Sequence, residues 1–224
     1  MLTTSTGRIR ADFGANRLLQ ALVVAYAVWW LFFAVGPQDR FDWVLENLLV
    51  FIFVPVLTLT YRRFPLSDLS YVLITLFLAI HAVGAHYTYS EVPLGDWARD
   101  AFSLTRNHFD RVVHWSFGLL LAYPVREVFL RIARTRGFFA YWLPLDVTLA
   151  FSALYEIVEW AVAATVDPAA GDAYLGTQGD VWDAQKDMAL AGLGALLAMC
   201  TTAGVRTLRE RRRRAKRSRA GPAA

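Results

Sequence analysis

The sequence is poor in cysteine, because its 224 residues contain a single one, Cys200. An intramolecular disulfide and a metal site built from thiolates are therefore excluded. The sequence also lacks a polar segment long enough to fold as a separate soluble domain, and it contains no zinc-protease helix motif of the H-E-x-x-H type. The residues are 56% hydrophobic and the mean hydropathy is +0.36, values too apolar for an ordinary soluble domain.

Six apolar runs have roughly the length that crosses a bilayer. They lie at about 17–35, 42–60, 67–86, 107–125, 138–165 and 181–203. These runs predict an all-α, polytopic integral membrane protein with six transmembrane helices in a domain spanning 17–203. Residues 1–16 form an N-terminal segment and residues 204–224 form a basic tail. The first run ends without a small-residue cleavage site, so we interpret it as a retained membrane anchor rather than a signal peptide.

The basic residues are distributed unevenly among the connections between these runs. They cluster in segments that alternate with nearly uncharged or acidic ones, at Arg8, Arg10, Arg17, Arg62, Arg63, Arg126, Arg131, Arg134, Arg136 and the tail 206–219. Because cytoplasmic loops are enriched in Lys and Arg, this pattern predicts that both termini are cytoplasmic in a bacterial inner membrane. The tail is expected to contact anionic lipid, and no motif indicates nucleic-acid binding.

The sixth run begins with charged residues, although its remainder is apolar. Asp180, Asp183 and Asp187 have the i, i+3, i+7 spacing that places side chains on one stripe of a helix, and Lys186 lies among them. Burying these carboxylates at a membrane boundary without partners costs several kcal/mol each. We therefore expect other parts of the chain to compensate them.

Polar residues of three other runs are predicted to lie at a similar depth, near the outer leaflet. They are His81 and His86 in the third run, His108, Asp110, Arg111 and His114 in the fourth, and Glu156 and Glu159 in the fifth. Glu46, in the second run, is a further candidate. The connection 87–106 is long enough to form a lid or a short interfacial helix.

Two cations, Arg111 and Lys186, are too few to neutralise six carboxylates at this level. Three explanations remain open: the acids are protonated, a divalent metal ion lies among them, or the site holds a cationic cargo or protons in transit. Since imidazole and carboxylate ligands suit zinc, iron and manganese, the candidate metal ligands are His81, His86, His108, His114, Asp180, Asp183 and Asp187. A metal site would draw one or two ligands from each helix.

The first functional hypothesis is a metal-assisted enzyme that acts on a lipid headgroup or a lipid-linked substrate at the outer leaflet. Glu156 or Glu159 would serve as general base and Arg111 would bind a phosphate or carboxylate, with Asp110 completing the catalytic set. The alternatives are a proton- or cation-coupled transporter and a structural network of buried polar residues. The sequence has no internal repeat and no pair of Gly/Pro-broken helices, which disfavours a carrier.

Four separated segments resemble the YjdF-like family of bacterial inner-membrane proteins. They are HAVGAHYTYSEVP, RNHFDRVVHWSFGLLLAYPVRE, ALYEIVEW and LGTQGDVWDAQKDM, which occur in this order between about Tyr71 and Leu197. The resemblance implies a six-helix inner-membrane architecture and specifies no reaction. A weaker similarity to VanZ-like membrane proteins rests on Glu156, Asp180, Asp183, Asp187, Gly192 and Gly194, and we transfer no function from it.

Overall fold

The computed structural model describes residues 13–219, which are helical or irregular and contain no β-strand. The predicted all-α class is therefore confirmed for this part of the chain. Arg8, Arg10 and most of the predicted segment 1–16 lie outside the described residues, as do residues 220–224 of the predicted tail.

Within residues 13–219, eight α-helices follow a short 3-10 turn at Phe13–Ala15. They are α1 (Arg17–Ala34), α2 (Arg40–Thr60), α3 (Asp68–His86), α4 (Pro93–Ala101), α5 (Phe109–Arg131), α6 (Phe139–Ala163), α7 (Pro168–Leu175) and α8 (Asp183–Arg219). Each of the six predicted runs corresponds to one of the long helices. The short helices α4 and α7 lie in connections, and α4 occupies the segment in which a short helix is predicted.

Four of the described helices are long and apolar enough to cross a membrane: α1, α2, α3 and the greater part of α8. Helices α5 and α6 have 23 and 25 residues, which is a sufficient length, but they are not among these four. The protein is therefore a multi-pass membrane protein. Helix α8 has 37 residues, about 55 Å at 1.5 Å per residue, so it is longer than the hydrocarbon core is thick.

Helix α8 continues through the predicted basic tail as far as Arg219. The tail sequence is dominated by Arg, Ala, Leu, Glu and Lys, which all have high helix propensity. No proline interrupts it before Pro222. Composition alone thus explains why the basic segment extends the last helix.

Polar side chains cap three of the long helices at their first turn. Asn16 accepts a hydrogen bond from Leu19 N, Asp39 from Asp42 N, and Ser67 from Ser70 N. Each cap satisfies a backbone N–H that has no partner within its own helix. These caps define where the helices begin next to the irregular connections.

Helices α5 and α8 pack closely against each other in the centre of the bundle. A Cβ atom added to Gly118 would clash with the backbone of Ala191, and one added to Gly194 would clash with the backbone of Trp115. Ala191 and Ala195 are completely buried. The small residues of the last run therefore allow a close helix approach.

The long helices form a bundle with two chemically different ends. The acidic end contains the first turns of α2, α5 and α8 and the last turns of α3 and α6. The basic end contains the first turns of α1, α3 and α6 and the last turns of α2 and α5. Hydrogen bonds tie each end together, from Gln38 N to His86 O at the acidic end (2.9 Å) and from Asn16 Nδ2 to Asp68 Oδ1 at the basic end (3.2 Å).

A candidate polar site at the acidic end

A buried ion pair fixes the start of helix α8 against the connection that precedes α5. The Arg106 guanidinium is 5% exposed and donates hydrogen bonds to both carboxylate oxygens of Asp183. It also donates to the carbonyl oxygens of Thr177 (3.0 Å) and Gly176 (3.2 Å). This arrangement satisfies Asp183 and leaves it little capacity for another ligand.

Arg111 and Lys186 extend this ion pair toward the surface. Arg111 donates hydrogen bonds to Asp180 and to Asp183 Oδ1 (3.1 Å for the latter), and Lys186 Nζ contacts both oxygens of Asp180 at 2.8 and 2.6 Å. The hydrogen bond from Lys186 is the main reason that the pKa of Asp180 falls to about 2. We call Arg106, Arg111, Asp180, Asp183 and Lys186 the ion-pair latch.

The latch differs from the sequence prediction at two positions. Asp180 does not lie on a helical stripe with Asp183 and Asp187, because α8 begins only at Asp183. Its carboxylate instead accepts a hydrogen bond from Trp182 N (3.1 Å) in the preceding turn. Arg106, which the sequence analysis did not include in the site, is its most buried cation. Arg106 follows a polar connection, and no local pattern distinguishes it from a solvated arginine.

A second group of side chains lies beside the latch and has the composition of a metal site. Asp110 and His114 are one turn apart on α5, and Asp187 faces them from α8. Each of the three offers one ligand atom, and these atoms lie within 4.8 Å of one another. His114 Nε2 is 3.5 Å from Asp110 Oδ1 and 3.7 Å from Glu156 Oε1 on α6. We call Asp110, His114, Glu156 and Asp187 the carboxylate–histidine cluster.

The two distances from His114 Nε2 are longer than those of good hydrogen bonds and close to the separation of two ligand atoms on one metal ion. Two ligand atoms that each bind one zinc-like ion at about 2.1 Å are separated by roughly 3 to 3.5 Å. Glu156 Oε1 and Asp187 Oδ1 are buried and have no hydrogen-bond partner. Buried carboxylate oxygens are rarely left in that state, so a ligand or protons must compensate them.

Glu46 and Glu159 continue the acidic group away from the latch. Glu46 is 2% exposed and accepts a 2.6 Å hydrogen bond from the Tyr155 hydroxyl, so the structure brings this candidate into the site. Glu159 has Glu46, Asp110 and Glu156 as its charged neighbours. Asp42, which is also buried, has an unpartnered Oδ1 atom. Carboxylates of four helices therefore form one continuous polar region.

The four histidines do not share one position. Only His114 belongs to the carboxylate–histidine cluster. His81 Nδ1 is 2.5 Å from the Tyr89 hydroxyl, and its buried Nε2 has no partner. His86 Nδ1 is 2.8 Å from the Phe33 carbonyl oxygen, and His108 Nδ1 is 3.3 Å from Arg111. The separation of His81 from His86 follows from their five-residue spacing, which turns them to different helix faces.

Helix α4 is fastened over this end by Asn107, which is completely buried. Asn107 Nδ2 donates to Val92 O (3.0 Å) and to Asp96 Oδ1 (3.1 Å), and its backbone N–H donates to Gln178 Oε1 (2.9 Å). These bonds join α4, the start of α5 and the connection before α8. They leave a set of large apolar side chains exposed beside the latch: Leu94, Trp97, Phe102, Val181 and Trp182. We call these five residues the apolar rim.

Together these features define a multi-pass helical membrane protein with a buried, carboxylate-rich site at one end of its bundle. Residues 18–208 match the family model described as "Predicted membrane protein (DUF2238)", and the chain belongs to this family. It is 41% identical over 167 residues to the "Inner membrane protein YjdF" of Escherichia coli (strain K12), which covers 74% of this chain and 79% of that protein. The resemblance found in the sequence is thus confirmed. No solved structure matches the chain.

Proposed function

We propose that the acidic end binds a divalent transition-metal ion through Asp110, His114 and Asp187, with Glu156 as the adjoining carboxylate. The observation that carries this proposal is the pair of buried, unpartnered oxygens on Glu156 and Asp187, next to ligand atoms that lie within 4.8 Å of one another. A mixed imidazole and carboxylate ligand set suits zinc, iron or manganese. His86, His108, Asp180 and Asp183 are engaged elsewhere and do not contribute to this centre.

We propose further that the metal centre belongs to an enzyme acting on a lipid headgroup or a lipid-linked substrate at the outer leaflet. A metal ion in such a site polarises a phosphoryl or carbonyl oxygen. Glu159, which neighbours Glu156, would accept the proton of the attacking group. The apolar rim supports a lipid-borne substrate, because exposed Trp, Phe and Leu side chains beside a polar site favour the membrane interface.

Arg111 has a different role in this proposal from the anion-binding role that the sequence suggests. Its guanidinium donates to Asp180 and Asp183, so an incoming phosphate would have to displace a carboxylate. We therefore assign Arg111 to the latch, where it positions α8 and hence Asp187. A positioning residue of this kind changes the geometry of the site without contacting the substrate.

The proposed topology has six spans, with α5 and α6 crossing the membrane alongside the four apolar helices. Their ionisable residues face a polar bundle interior, as intramembrane charges usually do. The concentration of arginines at the basic end supports a cytoplasmic location for that end and for both termini. Cysteine labelling from either side of the membrane, at Thr105 and Arg136, tests this orientation.

Elemental analysis of the full-length protein, purified in detergent without chelators, tests the metal site. We expect about one transition-metal ion per chain in the wild type and its loss in His114→Ala and in Asp187→Asn. Glu127→Gln is the matched control, because the Glu127 side chain, at the basic end, is 12% exposed, as is that of Glu156. A wild type that contains no metal, and that gains none after incubation with Zn²⁺, Mn²⁺ or Fe²⁺, would contradict the proposal.

A proton- or cation-coupled transporter is the second candidate function. The continuous row of acidic residues from Asp187 through Glu156 and Glu159 to Glu46 favours it, because such rows carry protons or cations through membrane proteins. Uptake of a cation into proteoliposomes that is lost in Glu159→Gln would support transport. An enzyme would show no such uptake and would still lose activity in this variant.

A further inference from the structure

Arg126, at the basic end, is a buried cation without a counterion. It lies in the last third of helix α5 and is 7% exposed. Among the described residues its guanidinium has no ion-pair or hydrogen-bond partner, and its Nε is fully shielded from solvent. Its close contact is with the ring of Tyr141 on α6, whose centroid lies 4.5 Å from the guanidinium carbon.

The cation–π contact with Tyr141 does not compensate the burial of this charge. Such contacts contribute about 0.5–2 kcal/mol, whereas an unpaired buried ion costs several kcal/mol. Glu127, which follows Arg126 on α5, pairs with Arg131, and Glu210, which lines the groove described below, pairs with Arg206. Among residues 13–219, no carboxylate therefore pairs with Arg126, and its charge is open to an anion from outside the chain.

A groove beside Tyr141 offers a place for such an anion. It has a volume of about 390 Å³ and lies between helix α8 and the beginning of α6. Its lining combines apolar and polar side chains, with Gly137, Phe138, Tyr141, Ala203, Arg206, Thr207 and Glu210. The Tyr141 side chain connects the two features, because it lines the groove and also contacts Arg126. The Tyr141 hydroxyl also interacts with Arg206.

We propose that this groove binds the phosphate group of an anionic lipid, with Arg126 and Arg206 as the cations that select it. Arg126 does not itself line the groove and attracts the phosphate across the Tyr141 ring, whereas Arg206 and Thr207 line the groove and provide hydrogen-bonding groups at its surface. Basic pockets between membrane-spanning helices are typical binding places for anionic headgroups. The exposed Phe138 and Ile132 at this end leave an apolar surface for the acyl chains.

This site is distinct from non-specific attraction of lipid by the basic tail. The tail arginines Arg211 to Arg214 are exposed on a helix that extends beyond the groove. They attract any anionic surface, and salt weakens that attraction. Lipid binding at a specific site depends on Arg126 and on the open groove. Single substitutions there therefore distinguish it from non-specific attraction by the tail.

The test measures how lipid changes the thermal stability of the full-length protein in mild detergent. Phosphatidylglycerol, phosphatidylcholine and inorganic phosphate are added separately to the wild type and to variants. We expect phosphatidylglycerol to raise the Tm of the wild type, and Arg126→Gln to weaken its apparent affinity about tenfold or more. Arg212→Gln, in the exposed tail, should retain the wild-type affinity. A similar rise with inorganic phosphate alone would identify a free phosphate site in place of a lipid site.

A second pair of variants keeps the test valid if Arg126→Gln fails to fold. Ala203→Leu fills the groove without touching Arg126, whereas Gly204→Leu on the next position projects into open space. We expect the lipid-dependent rise in Tm to be lost in Ala203→Leu and kept in Gly204→Leu. An unchanged lipid effect in both Arg126→Gln and Ala203→Leu would overturn the proposal.

Discussion

The carboxylate groups at the two ends of the bundle differ in how completely they are hydrogen bonded. At the basic end, Glu127 accepts hydrogen bonds from Ser67 N (2.9 Å), Ser67 Oγ (2.8 Å) and Ser70 Oγ (2.6 Å), and Arg131 donates a further one at 2.9 Å. At the acidic end, one oxygen of Glu156 and one of Asp187 have no partner. All the hydrogen bonds of the largely shielded Glu127 carboxylate are thus formed within the protein, whereas those of Glu156 and Asp187 are not.

The difference separates a carboxylate that holds helices together from one that is available to a ligand. Glu127 connects α5 to the start of α3, and its charge is balanced by Arg131. The acidic end contains both kinds, because the latch satisfies Asp180 and Asp183 while Glu156 and Asp187 remain open. Incomplete hydrogen bonding in a buried site indicates an unseen ligand or a functional proton.

The largest effect is expected for Asp183→Asn. This change removes the charge that balances Arg106, which would remain buried. Breaking one partner of a buried ion pair costs about 3–5 kcal/mol. We expect a correspondingly large fall in Tm, measured by thermal unfolding in detergent. Asp100→Asn is the control, since the Asp100 side chain is 73% exposed and pairs at the surface with Arg99.

A smaller loss is expected for Glu127→Gln. The amide retains one acceptor oxygen for Ser67 or Ser70 but loses the charge that pairs with Arg131. Hydrogen bonds to charged groups contribute about 1.5–3 kcal/mol, so we expect a loss of that size in unfolding free energy. The metal content should stay at the wild-type level. Loss of metal together with stability would show that the two ends are not independent.

A still smaller change in stability is expected for Asp187→Asn, measured in the presence of a chelator. The wild-type carboxylate has an unpartnered oxygen and repels Asp110 and Asp183, so its neutralisation removes an unfavourable term. We expect an unfolding free energy within about 1 kcal/mol of the wild type, or above it. A loss as large as that of Asp183→Asn would instead support the structural-network alternative for the whole site.

Much of the fold is predictable from the sequence because it depends on local patterns. Apolar runs of membrane-spanning length, followed by polar connections, identify the six long helices, and the small residues of α8 predict its close packing. The high helix propensity of the tail residues also predicts that α8 continues to Arg219, whereas their charge by itself predicts only a basic tail.

The sequence predicts which residues the candidate site contains, but it does not predict which of them pair with one another and which remain open to a ligand. Helical spacing correctly pairs Asp110 with His114 and gathers the acidic residues at one end. It does not show that Asp183 is neutralised by Arg106, because that contact joins residues 77 positions apart. Nor does it show that His86 and His108 bind other groups, because the rotation of each helix about its axis is set by packing against its neighbours.

The smallest effect on Tm is expected for Asp180→Asn, at the exposed edge of the latch, and this effect depends on pH. Lys186 first, and then Trp182 N and Arg111, lower the pKa of Asp180 to about 2, against about 3.9 in an unfolded chain. A carboxylate with a depressed pKa contributes stability that is present above the unfolded pKa and is lost as the pH falls through the folded one. The Tm difference between wild type and Asp180→Asn should therefore be constant from pH 7 to pH 5. It should shrink only below about pH 4, and it should stay smaller than the difference for Asp183→Asn at neutral pH because Lys186 is half exposed. A difference that already disappears near pH 6 would show that Asp180 titrates with the buried acidic residues and does not belong to a separate latch.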